Sequence, residues 1–132
     1  MADIVMTVKA RHIRNMRLGS KRYELRKTRP GKDGPHRVWL CESGTGGTIV
    51  ASFACKHFPV MTGFDPVTVA RLGAITAAEV QGYRQKGDGM LFGWEIEDFK
   101  YFKTSDMLHI VDFGLKRPPQ SWCYAKEVPD YE

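Results

Sequence analysis

Lys21, Glu24 and Arg26 set a cation, a carboxylate and a second cation within six residues of one another. An adjacent carboxylate favours the charged form of a lysine, so Lys21 and Glu24 suit an ion pair extended by Arg26. Such a group can support a fold or grip a ligand. In a cleft that excludes water it also suits acid–base chemistry, because burial and neighbouring charges tune either pKa. Glu24 would then take a proton from an attacking water while Lys21 stabilised the developing oxyanion. Ser121, Trp122 and Tyr124 form a second group near the C-terminus. Their rings can stack on exposed bases or plug a core, and the serine can hydrogen-bond a base or a phosphate.

The elements that must hold the first group are legible around it. Gly19 suits the left-handed position that closes many helices. Beyond it, Tyr23 and Leu25 alternate with Arg22, Glu24 and Arg26, the period of a half-buried strand. Glu24 and Arg26 therefore share one face, while Lys21 stands at the junction. The segment before Gly19, from Lys9 to Leu18, has helical periodicity: Ile13 and Met16 fall together, and Arg11, Arg14 and Arg17 lie on the opposing arc. Three guanidiniums on one arc can grip phosphates, and Arg14 and Arg17 are accordingly candidate nucleic-acid contacts. The same pattern also describes an amphipathic surface helix.

Charge is unevenly distributed. The 132 residues carry a net charge of +5, yet residues 1–40 hold eleven Lys and Arg against Asp3, Glu24 and Asp33, and the remainder is net acidic. A concentrated positive field favours a phosphate-bearing partner, and a charge run equally serves as a solvated face. The length suits a single domain over residues 1–132, and 42% hydrophobic with 27% charged residues is the composition of an ordinary globular protein. No apolar run reaches the roughly 20 residues of a membrane span. With no secretory signal pattern and an odd number of cysteines, a cytoplasmic protein with reduced thiols is expected.

Along the rest of the chain, Ile4–Val8 reads as a strand, with Ile4, Met6 and Val8 on one face. Thr28–Pro35 is a loop decorated by Lys27, Arg29 and Lys32, able to reach a nucleic-acid backbone. Arg37–Glu42 and Thr48–Phe53 form a hairpin around Ser43–Gly47, whose glycines lack the Lys-Ser/Thr ending of a phosphate loop. Cys55 and His57 find no second ligand pair, so no metal or other cofactor is expected. Asp65-Pro66 opens a short helix through Leu72. Thr76 and Glu79 form a capping box for a helix to Gln85, in which Tyr83 is a packing residue. Met90–Glu97 alternates as a strand that continues past a bend through Phe99–Lys103, and Met107–Phe113 is a final apolar strand. Short strands, few helices and frequent turns point to an α+β fold, a small barrel with peripheral helices.

Two motifs carry a family resemblance. Gly19, Lys21, Glu24 and Arg26 match the G-x-K-x-x-E-x-R signature of ASCH domains, and Pro118-Pro119-Gln120-Ser121-Trp122 followed by Tyr124 resembles the C-terminal pattern of many of them. The resemblance covers nearly the whole chain. It implies a PUA-like β-barrel whose cleft lies beside the signature, and RNA or a modified nucleoside as the partner, bound through Lys21, Glu24, Arg26 and Ser121. Some bacterial ASCH-like proteins are amidohydrolases that remove the acetyl group of N4-acetylcytidine, with the signature lysine catalytic and a threonine at the position of Glu24. Here that hydroxyl is replaced by a carboxylate. The alternative function, hydrolysis of an N-acylated nucleoside with Lys21 and Glu24 as catalytic residues, therefore requires a water-activating variant of that chemistry.

Overall fold

A computed structural model describes residues 2–31 and 34–130. In chain order the elements are β1 (Asp3–Val8), α1 (Ala10–Leu18), β2 (Tyr23–Arg26), β3 (His36–Glu42), β4 (Thr48–Cys55), α2 (Pro66–Gly73) and α3 (Ala77–Arg84). There follow β5 (Phe92–Glu95), β6 (Glu97–Tyr101), a 3-10 turn (Thr104–Asp106), β7 (Leu108–His109), a second 3-10 turn (Ile110–Phe113) and β8 (Trp122–Tyr124). Among the described residues no helix is long and apolar enough to cross a membrane.

Among the described residues the strands form two sheets, which do not close into the expected barrel. The larger sheet runs β6-β4-β3-β1-β8, with β7 also pairing β4; the smaller is the antiparallel ribbon β2-β5. β1 and β3 are parallel, and the other neighbours in the larger sheet are antiparallel. The chain passes from ribbon to large sheet at a sharp bend after β5. There Ile96 donates its backbone N–H to Arg22 O at 3.0 Å and Asp98 takes φ of 49°. The Phe99–Lys103 segment, expected to continue the Met90–Glu97 strand, thus falls largely in β6 and pairs in a different sheet. That bend separates the two ladders instead of joining them.

Burial explains why the central strands read as nearly continuous apolar runs. Ile4, Met6 and Val8 of β1, with Val38 and Leu40 of β3, enter a core closed by Ile13, Met16 and Trp94. Val5, Trp39 and Cys41 enter a second core on the opposite face, filled by Phe102, Ile110 and Phe113. Two-sided burial of a strand removes the polar half of its alternation. A third cluster packs Leu25 of β2 against Val69 and Ala70 of α2 and Val80 of α3.

The Met107–Phe113 strand is corrected to two strand residues followed by a 3-10 turn. His109 Nδ1 accepts the Val111 N–H at 3.3 Å, and Asp112 Oδ2 accepts the His109 N–H at 2.9 Å. This reciprocal cap turns the chain so that both Ile110 and Phe113 are buried, which an extended run does not achieve. The helices follow the sequence closely. Gly19 closes α1 at φ of 82°, Asp65 caps α2 through the Thr68 N–H, and Thr76 and Glu79 form the capping box of α3.

A candidate nucleoside pocket beside the signature strand

The signature residues fold into one buried ion network. Period-2 alternation in β2 sends Tyr23 and Leu25 towards the third core and Glu24 and Arg26 to the other face. Lys21 and Glu24 are only 3% and 5% exposed. The Lys21 ammonium donates to Gly73 O at the end of α2 and lies 3.3 Å from Glu24 Oε1. From the other side, Arg26 Nε donates to Glu24 Oε2 at 2.8 Å. The same guanidinium donates to Ser121 Oγ at 3.0 Å and to Thr7 O at 2.8 Å. One edge of the larger sheet, β1 and the segment entering β8, is thereby tied to β2.

Opposing effects set the charge of this network. Burial by itself would raise the Glu24 carboxyl, but Arg26, then Lys21 and His12, outweigh it and hold the group below the ordinary carboxylate value. Burial pulls the Lys21 ammonium down from the usual lysine value, with Glu24 pulling it back up. Glu24 is thus an ionised carboxylate with a cation at each oxygen. Its Oε1 is within ion-pair distance of Lys21, yet it receives no hydrogen bond of adequate geometry.

A cavity of about 530 Å³ opens over this face, lined by Thr7, His12, Glu24, Arg26, Lys27 and Ser121, with Lys9 and Arg11 at its α1 side. Glu24, Arg26 and Ser121 therefore come together as the sequence predicts, although Lys21 sits behind Glu24 and outside the lining. Arg14 and Arg17 do not reach this cavity. A step of three residues drifts about 60° around a helix, so the arc of α1 turns away from the pocket. Arg14 and Arg17 line a separate depression with Glu42, where the Arg17 guanidinium stands 4.2 Å over the Tyr101 ring.

The cations of the Thr28–Pro35 region are also engaged within the protein. The Lys27 ammonium donates to Tyr83 O and Lys86 O, both at 2.9 Å, at the C-terminal end of α3. Arg29 donates to Phe58 O at 2.9 Å and lies 4.6 Å over the Phe92 ring; Lys32 lies outside the described residues. Trp122 is a half-buried plug, edge-on to Trp94 at 5.2 Å, with its indole N–H given to Thr28 Oγ1 at 2.9 Å. Tyr83 packs at the edge of the third core and also lines the cavity.

His12 is the pocket residue that the sequence did not single out. Burial, then the Lys21 charge, lowers its pKa below the usual imidazole value. Its Nδ1 is buried and has no hydrogen-bond partner among the described residues. Glu79 caps α3 and also meets Arg11 at 3.4 Å. Cys55, at the end of β4, donates its thiol to His57 O at 3.3 Å, and burial pushes that thiol up to about 12.

No protein-family model matches the sequence, and no curated protein matches it. Solved structures do match its fold. The crystal structure of an ASCH protein from Zymomonas mobilis superposes with a TM-score of 0.72 at 13% identity, over 93% of this chain and 87% of that one. A tyrosine-to-phenylalanine variant of that protein gives the same TM-score and identity over 94% and 90%. The chain has the fold of an ASCH domain.

Proposed function

We propose that the protein, as one domain over residues 1–132, binds RNA or a modified nucleoside in the cavity above Glu24, Arg26 and Ser121. The observation that carries this reading is the division of charge within the pocket. Its floor holds an ionised carboxylate and a serine hydroxyl, and its α1 side offers Lys9 and Arg11. A base needs polar groups at fixed positions, and a phosphate needs accessible cations. The solved ASCH structures supply the fold-level analogy. Lys21 from behind and Arg26 from the pocket side hold Glu24, which suits a binding group of fixed direction.

Hydrolysis with Glu24 as the water-activating base is less compatible with this geometry. A carboxylate held below its ordinary pKa by two cations is a weak proton acceptor at neutral pH. The test is to titrate labelled single-stranded RNA and free nucleosides, including N4-acetylcytidine, while following acetate release. Saturable, salt-dependent binding without acetate release is the expected result. Acetate release that is abolished in Glu24→Gln with substrate affinity retained would replace the binding reading by the hydrolytic one.

A further inference from the structure

The two cations on the α1 side of the pocket are not equivalent. Among the described residues Lys9 has no carboxylate within ion-pair distance, whereas Arg11 Nη2 lies 3.4 Å from Glu79 Oε2 of α3. Both cations line the cavity, and Glu79 stands outside the lining. A carboxylate of the protein is thus already seated on one of the two groups that a phosphate would use.

The partners of this pair differ in freedom. Glu79 Oε1 accepts the Thr76 N–H at 3.1 Å and the Thr76 hydroxyl at 3.2 Å, the capping box that starts α3. The other end of α3 is tied down by the Lys27 ammonium through Tyr83 O and Lys86 O. The Thr76 N–H is also the chief reason that the Glu79 carboxyl lies below the ordinary carboxylate value, so it is ionised at neutral pH. The Arg11 side chain is 55% exposed and makes no other hydrogen bond among the described residues. Its long stem can swing towards the cavity, while Glu79 cannot follow without giving up the helix cap.

A phosphate oxygen and the Glu79 carboxylate therefore compete for one guanidinium, and the two anions repel each other when they share it. We propose that Glu79 is the resident counter-ion of the phosphate subsite: a ligand phosphate takes Arg11 from Glu79, and the anchored carboxylate weakens binding by what that exchange costs. This rests on the nucleic-acid reading above and names a residue outside the pocket that sets its affinity. An exposed pair of this kind is weak, so the exchange tunes binding and does not block it.

The experiment is a double-mutant cycle. Glu79→Gln removes the charge and keeps an amide oxygen for the Thr76 cap. Affinities for a short single-stranded RNA and for cytidine 5′-monophosphate are measured with the wild type, Glu79→Gln, Arg11→Ala and the double variant. For whichever ligand binds, Glu79→Gln should bind about twofold to fivefold more tightly, the range of an exposed ion pair. In the Arg11→Ala background the same substitution should give no gain. In the wild type the Arg11 Nε–H NMR signal should move on adding ligand, a readout that needs no variant to fold. Unchanged or weaker binding by Glu79→Gln, a gain that persists without Arg11, or an Arg11 signal unmoved at saturation overturns this inference, while ligand binding itself keeps the broader reading. No affinity for either ligand overturns both.

Discussion

Two sets of cations from the same basic segment behave in opposite ways. Lys21 and Arg26 are drawn into the interior and converge on Glu24, whereas Arg11, Arg14 and Arg17 stand on the exposed face of α1. The inner set works as a positioning device: each donor is assigned to a named acceptor, and the pair fixes the charge and direction of one carboxylate. The outer set is open to solvent and its meaning depends on what approaches. Net charge counts both sets equally, although the outer one, with Arg11 partly answered by Glu79 at 3.4 Å, is the one whose field a phosphate would feel.

The sharpest test of that contrast is to remove the centre of the inner set. Glu24→Gln leaves Lys21 buried without its counterion and weakens the Arg26 contact, so a loss of about 3–5 kcal/mol is expected in urea unfolding. Lys21→Met, similar in length and apolar, should cost less than half as much, because Glu24 keeps Arg26. Equal losses would mean that the network is not centred on Glu24. The pH dependence has a defined sign. The folded-state pKa of Glu24 is depressed, so its contribution is complete above the ordinary value of 4.5 and is lost as pH falls through the lower folded value. Glu24→Gln should lack that acid-dependent component.

A smaller effect is expected where α2 supports the network. A Cβ added at Gly73 would lie 2.5 Å from Leu25 Cδ1 and 2.9 Å from its Cγ, while Gly73 O receives the Lys21 ammonium. Gly73→Ala must push α2 away from β2 or force Leu25 from its position. About 1–3 kcal/mol of destabilisation should follow, as for other overpacked sites. An unchanged unfolding midpoint would show that the α2–β2 contact yields without cost.

Much of the inner set's local geometry was legible in the sequence, because it depends on short-range rules. Gly19 ends the helix, the strand period puts Glu24 and Arg26 on one face, and both helix caps are spelled out by residue type. What was hidden depends on distant chain. Lys21 is buried because Gly73 O lies 52 residues further on, and His12 joins the pocket only when the fold brings α1 to the same cavity as Glu24 and Ser121. Trp122 begins a strand because Met6 is its partner in β1, a register with no local signal in a three-residue element. The barrel expectation failed for a related reason. Strand periods say which residues alternate, but the bend at Ile96 and Asp98 decides to which sheet the next strand belongs.

The smallest effects concern the outer set, and they divide it. Lys9 and Arg11 border the pocket, so Lys9→Ala with Arg11→Ala should weaken single-stranded RNA binding and reduce the slope of log affinity against log salt by about 0.7 for each phosphate contact removed. Arg14 and Arg17 lie around the helix, where Arg17 stacks on Tyr101. Removing both should cost no more than about 1 kcal/mol of stability from the exposed cation–π contact. Their loss lowers the general positive field but removes no pocket contact, so affinity should fall by less than about threefold with the salt slope nearly unchanged. The two double variants are compared by anisotropy at several salt concentrations. A slope reduction for Arg14→Ala with Arg17→Ala as large as that for Lys9→Ala with Arg11→Ala would extend the interface around the whole exposed arc of α1, and the strand would then run from the pocket towards Tyr101.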